Sequence, residues 1–243
     1  MRQIIYLVTF FCLSIGELAA NEYNASVFGC VSDGQTNNTQ SIQAAIDTIS
    51  SRGGGTLHFY VGRYLTGGFE LKSNVTIHLH EGAALIASPT YYDYLQKGEH
   101  RYFIYGENQT NCGIEGKGMI VEQAELALSS IAKQKEKNII SPPLADVRPT
   151  LIGLHHCKNI RLAGIQLDQA IGRHIYLQDC QNIALQQLIL TSNQISDGIV
   201  LHQSQGVQLH DLYVDIQGKP LVGDRKSQIS TIKNSIKPNG KSI

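Results

Sequence analysis

The residue best placed for acid or base chemistry is Asp197, in the turn sequence of residues 196–199. A carboxyl group in such a glycine turn can act as a general acid or base, or it can simply cap the end of a strand. Arg173 and His174 precede Asp197 by about one repeat of the sequence, and Lys219 follows it by 22 residues. A carboxylate with basic residues at this spacing is a candidate site for an anionic substrate.

The elements that must position these residues form a sequence repeat within residues 151–214. Three copies begin at Cys157, Cys180 and Ser204, and each continues with an asparagine or glycine followed by alternating aliphatic residues. A period of 23 to 24 residues that holds two or three short alternating runs predicts strands stacked in a solenoid. The sequence therefore predicts an all-β chain folded as a parallel β-helix. The equivalent aliphatic residues that should stack in one ladder are Ile160, Ile183 and Val207.

A second kind of solenoid also fits part of this pattern. Residues 185–195 match the leucine-rich-repeat template, in which a helical or extended segment follows an asparagine. The flanking copies have Ala170 and Gln217 where that template has asparagine. A leucine-rich-repeat interaction module is therefore the less favoured alternative.

Composition limits the classes of partner. The 243 residues carry 20 basic and 20 acidic side chains, so the formal net charge is zero, and 42% of the residues are hydrophobic. A long core can be buried, but no electrostatic footprint for nucleic acid or a membrane surface is present. We expect neither of those partners, and we expect a monomer.

No metal site or cofactor is predicted from the spacing of ligand residues. The histidines of the repeat region are too scattered for known ligand patterns, and strand positions facing solvent are the simpler explanation. They are His155, His156, His174, His202 and His210. The cysteines Cys157 and Cys180 occupy equivalent positions one repeat apart, which favours reduced apolar core residues over a disulfide.

The N-terminus has the layout of a secretory signal peptide. Arg2 precedes an apolar run over residues 4–15, and small residues follow at Ala19 and Ala20. The run is too short to span a bilayer. We therefore expect residues 1–20 to be removed and the mature chain, beginning near Asn21, to be secreted or periplasmic.

Two helices are predicted outside the repeats. Thr39 is expected to cap the first, and its apolar face would close the open end of the solenoid. That face consists of Ile42, Ala45, Ile46 and Ile49. Residues 122–137 have the composition of the second helix.

An ordered set of short motifs identifies a family resemblance. The motifs are Phe28-Gly29 to Asp33-Gly34, Thr39 to Asp47, Gly53-Gly54-Gly55, Gly62-x-Tyr64-Leu65-Thr66-Gly67, Leu71-Lys72-Ser73-Asn74-Val75, Glu81-Gly82-Ala83-x-Leu85, Gly113 to Ile120, and Arg148-Pro149-x-Leu151-Ile152 with Cys157-x-Asn159-Ile160. Together they resemble the polygalacturonases of glycoside hydrolase family 28. The resemblance implies a right-handed parallel β-helix, which we assign to residues 21–222. It also implies hydrolysis of α-1,4-linked galacturonic acid in pectin. The repeat pattern stops at Gly223, and the following residues are rich in lysine, serine and asparagine, so we expect residues 223–243 to form an irregular tail.

The catalytic set of that family is carried over only in part. The family that this chain resembles is an inverting one. It has one aspartate in an Asn-Thr-Asp-Gly turn and two more in a Gly-Asp-Asp turn one coil later. Asp197 matches the first, whereas Gly218 and Lys219 stand where the pair is expected. Asp215 and Asp224 are the nearest replacements. The later Gly-His-Gly and Arg-x-Lys turns are absent, which suggests a C-terminally truncated relative.

We therefore expect Asp197 to be the catalytic carboxylate and Arg173, His174 and Lys219 to contact an acidic pectic chain. Asp197 and Lys219 should lie on neighbouring coils of one face. Because Lys219 replaces an acid, weak hydrolysis or none is expected. The alternative is a catalytically inactive, carbohydrate-binding member of the same fold.

Overall fold

The computed structural model describes residues 21–140 and 147–243, and the predicted signal peptide lies outside them. Export therefore stays a prediction. Within the described residues the chain forms 21 β-strands and two α-helices. The strands are β1 Glu22–Asn24, β2 Gly55–Phe59, β3 Gly62–Thr66, β4 Phe69–Glu70, β5 Val75–Leu79, β6 Ala83–Ala87, β7 Leu95–Lys97, β8 His100–Glu107, β9 Thr110–Gly116, β10 Met119–Val121, β11 Thr150–His155, β12 Lys158–Ala163, β13 Gln166–Asp168, β14 Arg173–Gln178, β15 Gln181–Gln186, β16 Ile189–Thr191, β17 Asp197–His202, β18 Gln205–His210, β19 Tyr213–Asp215, β20 Leu221–Gly223 and β21 Gln228–Lys233. The helices are α1 Thr39–Ser51 and α2 Ala124–Glu136.

Three parallel sheets wind together into a right-handed parallel β-helix, as the repeat predicted. We name them sheet A (β1-β2-β5-β9-β12-β15-β18-β21), sheet B (β19-β16-β13-β10-β6-β3) and sheet C (β20-β17-β14-β11-β8-β4). Each full coil contributes one strand to each sheet. The hairpin strand β7 is the exception, because it pairs antiparallel with β8 at the side of sheet C.

The core is a set of aliphatic ladders along the axis of the helix. Ile160 pairs in register with Ile183, and Ile183 with Val207, so the predicted ladder is confirmed. All three side chains are buried. No helix interrupts the strands between residues 150 and 215, so the leucine-rich-repeat alternative is wrong. Stacking is what buries these side chains, since a single coil could not enclose its own apolar row.

The asparagine of each repeat occupies a turn position with a left-handed backbone. Asn111, Asn159 and Asn182 have φ values of 53°, 56° and 55°, and Gly206 follows in the next coil at 67°. Asparagine and glycine tolerate this region better than other residues. The side-chain amides also form a ladder, in which Asn182 donates to Asn159 at 2.7 Å and Asn159 to Asn111 at 2.9 Å.

Replacing Asn159 tests whether the backbone or the amide ladder matters more at this turn. Asn159→Ala is expected to lower the free energy of unfolding by about 1 to 2 kcal/mol, because alanine is strained in the left-handed region. Asn159→Gly loses the same amide contacts but relieves the strain, so its cost should be clearly smaller. Urea unfolding followed by circular dichroism measures both. Equal losses in the two variants would contradict this account.

The N-terminal helix closes the first coil as predicted. The apolar face of α1 is fully buried in the same core as the ladders. Its start differs from expectation, since Thr39 is the first helical residue and its backbone N–H is bonded by the Asn37 side chain at 2.9 Å. The second helix covers residues 124–136 within the predicted span. None of the described helices is long and apolar enough to cross a bilayer.

Part of the predicted irregular tail continues the solenoid, because residues 228–233 form a strand of sheet A. Strand β21 pairs in parallel with β18, and Ile229 extends the ladder below Val207. Ile236 is bonded through its backbone to Leu212 and Val214 of the previous coil. A register shift between β18 and β21 displaces the apolar residues from their expected spacing, which hides the repeat in the sequence.

Candidate functional site

The predicted site residues Arg173, Asp197 and Lys219 lie on three successive coils at one edge of sheet C. Arg173 is the register partner of Asp197. The backbone N–H of Lys219 donates to Asp197 Oδ1 at 3.0 Å. The expectation that Asp197 and Lys219 occupy neighbouring coils is therefore confirmed. Their roles in catalysis and substrate binding stay predictions.

Glycines let these three coils approach closely at the site. A Cβ atom on Gly198 would lie 2.3 Å from the Pro220 carbonyl oxygen, and one on Gly218 would lie 2.1 Å from the Ser196 oxygen. Such distances would force the backbone to move. Position 218, where the family resemblance expects an aspartate, therefore has no room for a side chain in this backbone.

A groove of about 730 Å³ opens beside Asp197. One wall is formed by the starts of the sheet C strands, and the opposite wall by the tip of the β7–β8 hairpin. Its lining residues are Gln96, Gly98, Glu99, His100, Val147, Arg148, Gly172, Arg173, Ile195, Ser196 and Asp197. The hairpin residues and Arg148 are absent from the predicted site, because the hairpin stands outside the repeat.

Two arginines line this groove together with the carboxylates of Asp197 and Glu99, so its formal charges balance. The Arg173 guanidinium lies 4.9 Å from the ring centre of Tyr176, which holds it against sheet C. Arg148 donates from Nη1 to the Ile195 carbonyl oxygen at 2.8 Å, while its buried Nε has no hydrogen-bond partner among the described residues. Guanidinium groups present planar arrays of donors that suit carboxylates. The sequence analysis used the Arg148-Pro149 motif only as part of the family resemblance and did not predict a role for Arg148 in the site.

The predicted contact of His174 with substrate is not supported, because its side chain is fully buried and does not line the groove. Regular alternation does not account for this burial, since Ile175 and Leu177 are the core residues of β14. The ring nitrogens of His174 lie 3.0 Å from the Asp197 carbonyl oxygen and 3.2 Å from that of Thr191. Burial lowers the pKa of His174. The residue therefore positions the backbone of Asp197 from beneath.

Neither of the expected replacement acids lines the Asp197 groove. Asp215 borders a separate groove on sheet B. Asp224 accepts hydrogen bonds from Ser227 and Gln203 and forms an ion pair with His202 at 2.8 Å. Hydrogen bonds from the Ser227 side chain and from nearby backbone groups lower the pKa of Asp224, which disfavours a general acid. Glu99 is the other acidic residue among those that line the groove.

A cluster of ligand-type residues exists elsewhere in the described part of the chain. His58, His78 and His80 each bring one ring nitrogen within 4.8 Å of the others. None of them belongs to the five histidines that the sequence analysis considered. His58 precedes His78 and His80 by 20 and 22 residues, which is close to the length of one coil. This spacing is the sequence signal that could have predicted the cluster.

The protein is a parallel β-helix with a groove beside Asp197, and two arginines and two acidic residues are among the residues that line this groove. The sequence model of the glycosyl hydrolases family 28 matches residues 60–239. The chain therefore belongs to glycosyl hydrolase family 28, as the motifs implied.

Individual relatives are of two lengths. A candidate glycosyl hydrolase of known structure from Parabacteroides merdae is 37% identical, with a TM-score of 0.84 over 92% of this chain and 98% of that one. A probable polygalacturonase of Vitis vinifera is 28% identical over 225 residues, which are 83% of this chain and 44% of the relative. A family 28 exopolygalacturonase from Yersinia enterocolitica, 23% identical, shares the fold with a TM-score of 0.72 over 84% of this chain and 45% of that one. The chain thus spans less than half the length of the Vitis relative.

Proposed function

We propose that this protein binds the galacturonate backbone of pectin in the Asp197 groove and hydrolyses its α-1,4 linkages only slowly. The observation that carries the proposal is that Asp197, Arg148 and Arg173 line one groove, beside which the Lys219 backbone N–H donates to Asp197. Family membership supports a pectic substrate. The cations would bind the sugar carboxylates, and a polymer could lie across successive coils.

Slow hydrolysis is inferred from the missing carboxylate. Inverting glycosidases use two carboxyl groups roughly 6.5 to 9.5 Å apart, one to protonate the leaving oxygen and one to activate water. Asp197 can serve as one of them. Gly218 and Lys219 supply neither partner. The loss of one acid-base partner lowers turnover by about 10² to 10⁴.

A second candidate function is efficient hydrolysis with Glu99 as the missing acid. Glu99 lies at the tip of the β7–β8 hairpin and lines the same groove as Asp197. The hairpin is an insertion in the coil, so it could present a carboxylate from the opposite wall. This candidate replaces an acid from the next coil with one from across the groove.

The binding part of the proposal is tested with oligogalacturonides and isothermal titration calorimetry. Arg173→Ala should weaken binding about tenfold, since a charge-assisted hydrogen bond is worth roughly 1.5 kcal/mol or more. Arg225→Ala removes the same charge from a residue that does not line the groove, and it should bind as the wild type does. Fully methyl-esterified oligomers should bind weakly. The proposal fails if the wild type does not distinguish free from esterified oligomers.

Reducing-sugar release from polygalacturonate separates the two candidate functions. Little release by a wild-type protein that binds the oligomers supports the proposal. Robust release that disappears in both Asp197→Asn and Glu99→Gln supports the second candidate. Robust release that Glu99→Gln leaves intact would contradict both, because another acid must then be present.

A further inference from the structure

The three-histidine cluster lies on the outer face of sheet A, away from the Asp197 groove. His58 of β2 is the register partner of His78 of β5, and His80 follows β5. Because side chains alternate along a strand, His78 and His80 point to the same face. The ring centres of the three residues are 4.6 to 5.1 Å apart, so the rings form a compact triangle.

The outer nitrogens of two rings are held by carboxylates. Glu22 contacts His58 Nε2, and Glu115 Oε1 lies 3.4 Å from His78 Nδ1. Arg161 in turn bonds Glu115. A carboxylate behind a histidine fixes the ring orientation and tautomer, and it strengthens the other nitrogen as a metal ligand. This arrangement leaves His58 Nδ1 and His78 Nε2 as the inner nitrogens.

His80 is fixed by different contacts. Its ring stacks on Tyr60 at 4.4 Å with the planes 11° apart. Its backbone is anchored on both sides, because its N–H donates to the Phe59 oxygen and its own oxygen accepts from Ala83 N–H. His80 Nε2 lies 2.9 Å from His58 Nδ1. The third nitrogen therefore faces the same point as the other two.

The distances suit a cation bound by three imidazoles. Zinc binds histidine nitrogens at about 2.0 to 2.1 Å, so tetrahedral ligand nitrogens are roughly 3.3 Å apart. The nitrogen pair of His58 and His80 at 2.9 Å and the limit of 4.8 Å for the whole set bracket that value. Small ring rotations would complete the geometry.

We propose that His58, His78 and His80 form a binding site for a late first-row divalent cation, Zn²⁺ first, with the fourth position open to water. Three histidines are a ligand set that zinc and copper prefer over calcium or magnesium. The cation would join β2 to β5 and so clamp the first two full coils together. The site is independent of the groove on sheet C.

Zinc titration of the full chain, purified without a histidine tag and freed of metal with a chelator, tests the site. Competition with a chromophoric chelator should give one equivalent of Zn²⁺ bound with a micromolar or lower dissociation constant. His78→Ala should weaken binding at least 100-fold, whereas His210→Ala, on a distant coil, should not change it. Zinc should also raise the melting temperature of the wild type and of His210→Ala but not of His78→Ala.

Two measurements on the wild type keep the test decisive if His78→Ala does not fold. Co²⁺ should give visible absorption bands of a four- or five-coordinate site, which one equivalent of Zn²⁺ abolishes. Zn²⁺ should also protect these three histidines from carbethoxylation, as read by peptide mass spectrometry, and leave His210 reactive. Millimolar binding, equal binding in His78→Ala, or unprotected histidines would overturn the proposal.

Discussion

Glu122→Gln is expected to raise the free energy of unfolding at pH 8 by roughly 4 kcal/mol and to leave it nearly unchanged at pH 4. Glu122 is fully buried where β10 leads into α2. Burial raises the pKa of its carboxyl group from 4.5 to about 8. The Ile171 N–H donates to one carboxylate oxygen at 2.9 Å, while the other has no partner in the described structure.

The direction of the expected change in the free energy of unfolding follows from proton binding. Between pH 4.5 and about 8 the folded protein keeps a proton on Glu122 that the unfolded chain releases. The stability of the wild type therefore falls as pH rises through this interval, because the unfolded state gains from ionisation. Glutamine has a similar shape and no charge, so Glu122→Gln removes the loss of stability at high pH. Its side-chain oxygen can still accept the hydrogen bond from the Ile171 N–H.

The measurement is urea unfolding of both proteins at intervals between pH 4 and pH 8. Glu125→Gln is the matched control, since it makes the same change at an exposed position three residues further along. It should leave the pH dependence as in the wild type. Parallel stability curves for Glu122→Gln and the wild type would contradict a buried, protonated Glu122.

Gly198→Ala is expected to disrupt the groove and to destabilise the last coils by more than 3 kcal/mol. The added Cβ would lie 2.3 Å from the Pro220 carbonyl oxygen. That oxygen accepts a hydrogen bond from the Ile199 N–H, and the Gly198 N–H donates to the Lys219 carbonyl oxygen. The added Cβ would therefore clash with the backbone hydrogen bonds that join these two coils. Overpacking against flexible side chains costs about 1 to 3 kcal/mol, and a backbone atom cannot yield as a side chain can.

The same displacement should separate Lys219 from Asp197. Binding of oligogalacturonides is therefore expected to fall together with stability. Gly223→Ala is the control, because a Cβ there meets no atom within 4 Å. Thermal unfolding and calorimetric titration of both variants check the prediction. A Gly198→Ala protein with normal stability and affinity would show that β17 and β20 are not packed as described.

The regular part of the fold could be predicted because its cause is local and repeated. The Asn159, Asn182 and Gly206 positions need a left-handed backbone once per coil, and that requirement is visible in the sequence. The last coil was not predicted, because the register shift between β18 and β21 places Ile229 one residue out of phase with the repeat. The repeat is visible in the sequence only where the apolar residues keep the same phase within each strand.

The site could be predicted only where it follows the repeat. Asp197 and Lys219 are about one coil apart, so their proximity follows from arithmetic on the sequence. Glu99 belongs to a hairpin that interrupts the coil, and no spacing rule relates it to Asp197. His174 was expected at the surface, and regular alternation with the core residues Ile175 and Leu177 would place it there. Its burial comes with contacts of the ring to the Asp197 and Thr191 carbonyl oxygens, which the strand pattern does not reveal.

The hydrogen-bonded ladders also determine which genetic changes this architecture tolerates. Deleting one residue from a strand would turn the aliphatic side chains beyond the deletion outward and move the turn asparagine away from its partners. Duplication or loss of one whole coil, in contrast, rejoins the same pairs of positions with every ladder contact renewed. Relatives of this fold can therefore diverge in length by whole coils at little energetic cost. A single-residue difference is tolerated in a turn, since the extra residue of the 24-residue coil lies between β16 and β17, outside the paired strands.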